Sequence, residues 1–294
     1  MRPVRNHLAP ALLCSAALGL MSCGSGSKPA ASVGHSPNPE VARLLQAAAT
    51  TALGSQTGSA HAGRLRIHVV ERASGFMNAG ARNGFALVVP SETRMVIAPN
   101  SSARIAARFT GRSYLASSLA RRRWEAAGKP RLPVDHATSL RVATLSAGRY
   151  SFLPTGSPLT FREARRLPTS PEQVRRAVEA HLQRIGAQDR AAAVLRSFGY
   201  LLAVAPLRSK TRDAIFEAVS ALPSVRLGGR GYDLLGRGGV WVVTDGSNVW
   251  TEVLLEPAHA TVLAVQERVR KPQPIFPSLS VGDPIETTTF VSGS

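Results

Sequence analysis

At Arg64 the hydrophobic period of this chain switches from that of a helix to that of a strand, and near Leu167 it switches back. Before the first switch, Val41, Leu44, Leu45 and Ala48 recur at the spacing that gives a helix one apolar face. Asn38-Pro39-Glu40 supplies a capping side chain, a proline at the first helical position and an acid in the first turn, so a helix is expected from Pro39 to about Leu53. After the switch, Leu65, Ile67 and Val69 alternate with Arg66, His68 and Val70, the two-residue period of a strand. Residues 85–89 and 95–97 read as strands on either side of a Pro90-Ser91-Glu92 turn. Residues 105–109, Gly111-Arg112 and Tyr114-Leu115 read as a strand-turn-strand unit. The run through Trp124 reads as one more strand, with weaker strand signals at 140–145 and 150–153. Short turns between such strands predict an antiparallel meander.

The second half opens with Ser170 as a cap, Pro171 at the first helical position and Gln173 at the capping-box spacing. Val174, Val178, Leu182 and Ile185 share the apolar face of that helix, and a second helical run covers 189–202. Ile215, Ala218, Val219 and Leu222 mark a third helix, ended by Pro223. Strands are expected at 240–244, 249–255 and 261–269, the first two joined by a hairpin loop at Asp245-Gly246-Ser247-Asn248. Residues 270–294 are rich in Pro, Thr and Ser without a usable period, and are expected to form a disordered tail. The expected fold class is α+β, a curved antiparallel sheet packed with helices. A helix and meander fall within residues 38–158, and helices and a second meander within 159–269. Whether these are two subdomains or one continuous sheet is left open by the pattern.

The N-terminus reads as an export signal over residues 1–22. Arg2 and Arg5 precede an apolar run, residues 8–20, that is shorter than the roughly 20 residues a spanning helix needs. Leu20-Met21-Ser22-Cys23 resembles a bacterial lipobox. That resemblance implies that Cys23 becomes the acylated first residue, anchoring the domain to the extracytoplasmic face of the cell membrane. The alternative is an incidental cysteine in a signal cut elsewhere. Residues 24–37, mostly Gly, Ser, Ala and Pro, have the composition of a flexible tether. The second of the two cysteines, Cys14, lies inside the signal, so the exported domain is expected to hold together by its core without a disulfide.

Residues 167–268 resemble the C-terminal region of an uncharacterised family of actinobacterial membrane-attached proteins. Leu167-Pro168-Thr169, the stretch from Ala214 to Val225, Gly236-Arg237-Gly238-Gly239-Val240 and Glu252-Val253-Leu254-Leu255-Glu256-Pro257 carry the likeness. Ser170 and Ala258-His259-Ala260 depart from it. The first half is similar in outline to bacterial lipoprotein carriers and sigma-factor-regulating envelope proteins, through Phe109-Thr110-Gly111-Arg112-Ser113-Tyr114-Leu115 and then Trp124. This likeness implies an incomplete, curved sheet wrapped around helices, with a lipid held between them in several such folds.

Charge supplies the other partner expectations. Lys and Arg number 36 against 18 Asp and Glu, a formal net charge of +18. A basic surface beside an anionic leaflet gains about 1 kcal/mol per nearby Lys or Arg, although arginine enrichment also follows from coding in GC-rich genomes. An exported chain leaves nucleic acid behind, so no nucleic-acid partner is expected. Arg121-Arg122-Arg123-Trp124 is the candidate membrane-surface cluster; its alternative is a solvated loop or edge strand. Trp241 and Trp250, on adjacent expected strands, are candidates for an apolar pocket, with core filling as the alternative.

No catalytic constellation emerges. The seven histidines are scattered without the spacing of a helical metal site, and neither a nucleophile elbow nor a phosphate-cradling loop is present. Gly228-Gly229-Arg230-Gly231 lacks a following helix and reads as a loop between strands, and Glu252 reads as solvated or ion-paired. The expectation is therefore a non-enzymatic envelope module without metal or cofactor that binds an apolar or lipid ligand. Its alternative is a protein-interaction or regulatory module of an envelope signalling system. A ligand carrier predicts a large apolar pocket between sheet and helices; a protein-binding module predicts a filled core and an exposed apolar patch instead.

Overall fold

The computed structural model describes residues 38–54, 65–77, 84–98, 102–133, 141–145, 163–164, 166–184, 187, 189–205, 207–222, 224–272 and 278–291. Cys23, the expected signal, the expected tether and the expected strand at 150–153 lie outside them. The first helix, α1 (Pro39–Gly54), begins where its cap predicts: Asn38 Oδ1 accepts from the backbone N–H of Glu40 at 3.0 Å. Then come β1 (Leu65–Met77), β2 (Phe85–Ile97), β3 (Ala103–Phe109), β4 (Tyr114–Leu115), α2 (Ser118–Ala126) and β5 (Arg141–Leu145). The second half contributes α3 (Pro171–Arg184), α4 (Arg190–Val204), α5 (Ser209–Ser220), β6 (Arg226–Tyr232), β7 (Gly238–Asp245), β8 (Val249–Glu256), β9 (Thr261–Val269) and β10 (Pro284–Val291).

All the described strands join one antiparallel sheet in the order β5-β3-β2-β1-β10-β9-β8-β7-β6, with β4 paired to β2. The fold is α+β, and the two halves share one sheet. The joint is β10, which falls in the stretch expected to be a disordered tail. It pairs with β1 from His68↔Val291 to Ala73↔Glu286, and with β9 from Thr289↔Ala264 to Pro284↔Arg268. Its sequence, PIETTTFV, is dense in β-branched and aromatic residues. Three consecutive threonines hide the alternation, because Thr288 lies on one face and Thr287 and Thr289 on the other while all three are polar and buried.

Three other expectations change. The expected turn at Pro90 is absent, and β2 runs unbroken through it. The carbonyl of Pro90 accepts from Thr110 N–H at 3.1 Å, so its ring nitrogen, which has no proton, also faces the turn between β3 and β4. There the ladder is already interrupted and no donor is needed. The run through Trp124 is helical, capped by Ser117, whose hydroxyl accepts from Ala120 N–H at 3.0 Å. Gly228 to Gly231 belongs to β6 rather than a loop, with a bulge between Leu227 and Gly229.

α4 lies directly on β7, β8 and β9, α3 and α5 pack against it, and α1 packs on α5. α4 is buried nearly all round, through Leu195, Phe198, Leu201 and Leu202 among others. Gly199 permits the close approach: a Cβ there would sit 2.7 Å from a methyl of Val265 and 3.0 Å from one of Val253. A continuous apolar core joins these helices to Ile67 and Val69 of β1, Ile105 of β3, Val242, Val253 and Val265 of β7–β9, and Phe290 of β10. The ring of Phe290 meets that of Tyr200 edge to face, with centroids 5.3 Å apart.

Ending the chain after Arg270 removes ladders on both sides of β10, each hydrogen bond worth about 1 kcal/mol net, together with the burial of Phe290, worth about 2 kcal/mol. That loss is comparable to a whole domain's stability of roughly 5–15 kcal/mol. The truncated chain is expected to show no cooperative thermal transition by circular dichroism. A transition within a few degrees of the full chain's would show that the halves do not depend on β10.

Candidate functional site

The central strands carry charge on both faces, and the two faces are built differently. On the helix-facing side, Arg196 of α4 reaches the sheet, its Nη1 3.0 Å from Glu267 of β9 and its Nη2 2.7 Å from Glu286 of β10. Tyr200, one turn further, shares a 2.8 Å hydrogen bond with Thr288, and Ser91 of β2 donates to Glu71 of β1 at 3.4 Å. One guanidinium thus faces three carboxylates in a buried setting. Burial, reinforced by the nearby Glu286 charge, pushes the Glu71 carboxyl up to about 7. Burial also raises Glu267, although Arg196 opposes the shift. Burial favours a neutral Arg196, but Glu267 and Glu286 outweigh it and hold the cation. Tyr200 is pushed up by burial and by Glu286, so its hydroxyl stays neutral. This assembly ties α4 to β1, β9 and β10.

The opposite face of β1–β3 is open in character. Strand pairing places Arg66 and His68 of β1 opposite Val96 and Arg94 of β2 and Arg72 opposite Pro90, with Arg104 and Arg108 of β3 opposite Val96 and Glu92. The five arginines are exposed, as is Val142 of the neighbouring β5, which pairs with Ala106. Val96 is 37% exposed and Val142 50%. Glu92 is the acid set among them, 6% exposed. Arg94 Nε donates to its Oε1 at 2.8 Å and Arg108 Nε to its Oε2 at 2.7 Å, while His68 Nε2 lies 2.7 Å from Oε1. Burial alone would raise this carboxyl, but the hydrogen bonds from Arg108, Arg94 and His68 outweigh it and hold Glu92 below the usual carboxylate range. The cluster fixes two arginines in place and leaves Arg66, Arg72 and Arg104 pointing outward beside it.

The same face of the C-terminal half is covered instead. The turn between β6 and β7 folds back over it, with Leu234 N–H donating to Thr289 at 3.2 Å and Arg237 bonding to the Phe290 carbonyl. Here Trp241 packs with Val243, Leu254, Leu263 and Ala264, and with half-buried Trp250. The Trp241 ring lies across β6 where Gly231 has no side chain: a Cβ there would come 2.0 Å from its Nε1. The two tryptophans therefore sit together, but on the side of the sheet away from the helices, not around the space the pocket expectation assigned them. That space is an apolar cavity of about 20 Å³ between the sheet and the helix layer, lined by residues including Leu195, Gly199, Phe216, Val253 and Leu255.

The helix α2 divides the expected membrane cluster. Arg121 and Arg122 are exposed, Arg123 donates to the Gly84 carbonyl at 3.4 Å, and Trp124 packs with Phe85, Leu87 and Ala120 against β2. The Trp124 Nε1–H donates to the Pro130 carbonyl at 2.8 Å, so its polar edge is already engaged. Glu252 is ion-paired, accepting from Arg268 Nε at 3.0 Å. Among the described residues, no three His, Cys, Asp or Glu side chains converge as metal ligands, and no helix is long and apolar enough to cross a membrane. The sequence did carry a signal for the arginine face: Arg66/His68 and Arg104/Ala106/Arg108 keep the two-residue strand period. Comparison of the chain with protein families, curated proteins and solved structures found no match.

A carboxyl whose folded-state value is raised binds its proton more tightly in the folded chain. Its contribution to stability is therefore full below about pH 4.5, falls as pH rises, and levels off above about 7. For Glu71 the fall amounts to about 3 kcal/mol. Glu71→Gln keeps an acceptor for Ser91 and removes this titration. At pH 8.5 it is expected to melt several degrees above the unchanged chain, the gap closing by pH 5. Parallel melting profiles across that range would contradict the assignment.

Proposed function

We propose that this protein is a non-enzymatic binding module of the cell envelope, tethered at Cys23 on the extracytoplasmic side of the membrane, which works through its outer surface rather than an internal pocket. The observation that carries this reading is the packing beneath α4. The 20 Å³ cavity there has room for about one water, whereas sites for small organic ligands run to roughly 300–1,000 Å³. A carried lipid would have to part α4 from β8 and β9, against the Val253 and Val265 contacts at Gly199.

Native mass spectrometry tests the reading on residues 24–294, exported without the lipidation site and with β10 retained. The expected spectrum is that of the bare chain. A mass excess that matches an apolar molecule and disappears on denaturation would overturn the surface reading and restore a ligand carried between sheet and helices.

A further inference from the structure

We propose that the arginine-bearing face of β1–β3 docks the domain flat against a bilayer containing anionic lipids. The inference rests on the surface-acting reading above and gives that surface its partner. Arg66, Arg72, Arg94, Arg104 and Arg108 project from one side of three adjacent strands, and the acid among them, Glu92, is buried and already satisfied by Arg94 and Arg108. Strand geometry spreads them over a patch about 20 Å long and 10 Å wide, with neighbours on one strand and face about 7 Å apart or more. That is a sheet of cations rather than a pocket, suited to many separate phosphates and not to one ligand.

Two further observations favour a lipid surface over an acidic protein. Val96 and Val142 stand exposed among the arginines, apolar groups placed to enter the headgroup layer beside the guanidinium groups. The expected tether, residues 24–37, is only fourteen residues long, so a domain anchored at Cys23 would meet the leaflet surface at high effective concentration. Both the chain's charge and its expected attachment point to the same occupant.

The test is vesicle co-sedimentation of residues 24–294 without a lipid anchor, using phosphatidylglycerol-containing and purely zwitterionic vesicles at low and high salt. Binding is expected only to the anionic vesicles, and is expected to weaken with salt. Arg66→Gln, Arg72→Gln and Arg104→Gln together leave the Glu92 cluster intact. At about fivefold per arginine, the triple variant is expected to bind about a hundredfold more weakly. A control that removes the same charge elsewhere, Arg190→Gln, Lys210→Gln and Arg230→Gln, is expected to bind almost as well as the unchanged chain. Equal loss in both variants would reduce the effect to bulk charge and overturn the proposal. So would failure of the unchanged chain to bind anionic vesicles, a result that needs no variant to fold. Capture by soluble polyglutamate without vesicle binding would overturn it in favour of an acidic protein partner. A bound apolar mass in the native spectrum would instead sink the surface-acting reading alone, leaving the vesicle titration to be judged on its own.

Discussion

The ladder that β10 makes on both of its edges is the constraint on which the rest of the molecule depends. β1 can reach β9 only through it, so the meander of the first half and that of the second become one sheet when the last described strand is laid between them. The same strand brings Glu286 to Arg196, Thr288 to Tyr200 and Phe290 into the core. These contacts seat α4 on the sheet; α3 and α5 pack against α4, and α1 packs on α5. Pairing residues more than two hundred positions apart is entropically slow, and the sheet cannot close until the C-terminal strand is available.

The two faces of the central strands handle charge in opposite ways. Beneath α4, an excess of carboxylates meets one guanidinium, and burial with the Glu286 charge makes Glu71 hold its proton more tightly. Outside, an excess of guanidinium groups surrounds one carboxylate, and the surplus remains in solvent. Since successive residues of a strand point to opposite faces, both arrangements come from the same segments: Glu71 and Arg72 are neighbours in β1, and Ser91 and Glu92 in β2. A one-residue slip of β1 or β2 would bury arginines and expose the apolar face, so the charge pattern also fixes the register.

Much of this was legible in the sequence. The cap at Asn38, the capping signal ahead of α3, the hairpin loop at Asp245–Asn248 and the alternation in β1 and β3 are local signals, and each matches the element found there. The misreadings arose where a non-local partner decides the conformation. Pro90 reads as a turn until the interrupted ladder beside it is known. Gly228 to Gly231 reads as a loop until Trp241 is seen to need the space. Thr287 to Thr289 show no alternation because both faces of β10 are buried among polar groups. The consecutive arginines at 121–123 stand out in the sequence more than those at 66, 104 and 108. A helix turns successive side chains in different directions, whereas adjacent strands gather distant ones onto a single face.

The most direct test of the account is to ask which side of the domain meets the membrane. With residues 1–23 removed, the chain has no thiol, so a single environment-sensitive label can be placed by Val96→Cys on the arginine face or by Lys210→Cys on the exposed surface of α5. On adding anionic vesicles, the label at 96 should shift its emission to the blue and become shielded from an aqueous quencher, while the label at 210 should stay unchanged. An unchanged label at 96 beside vesicles that sediment the protein, or an equal response at both sites, would contradict the account.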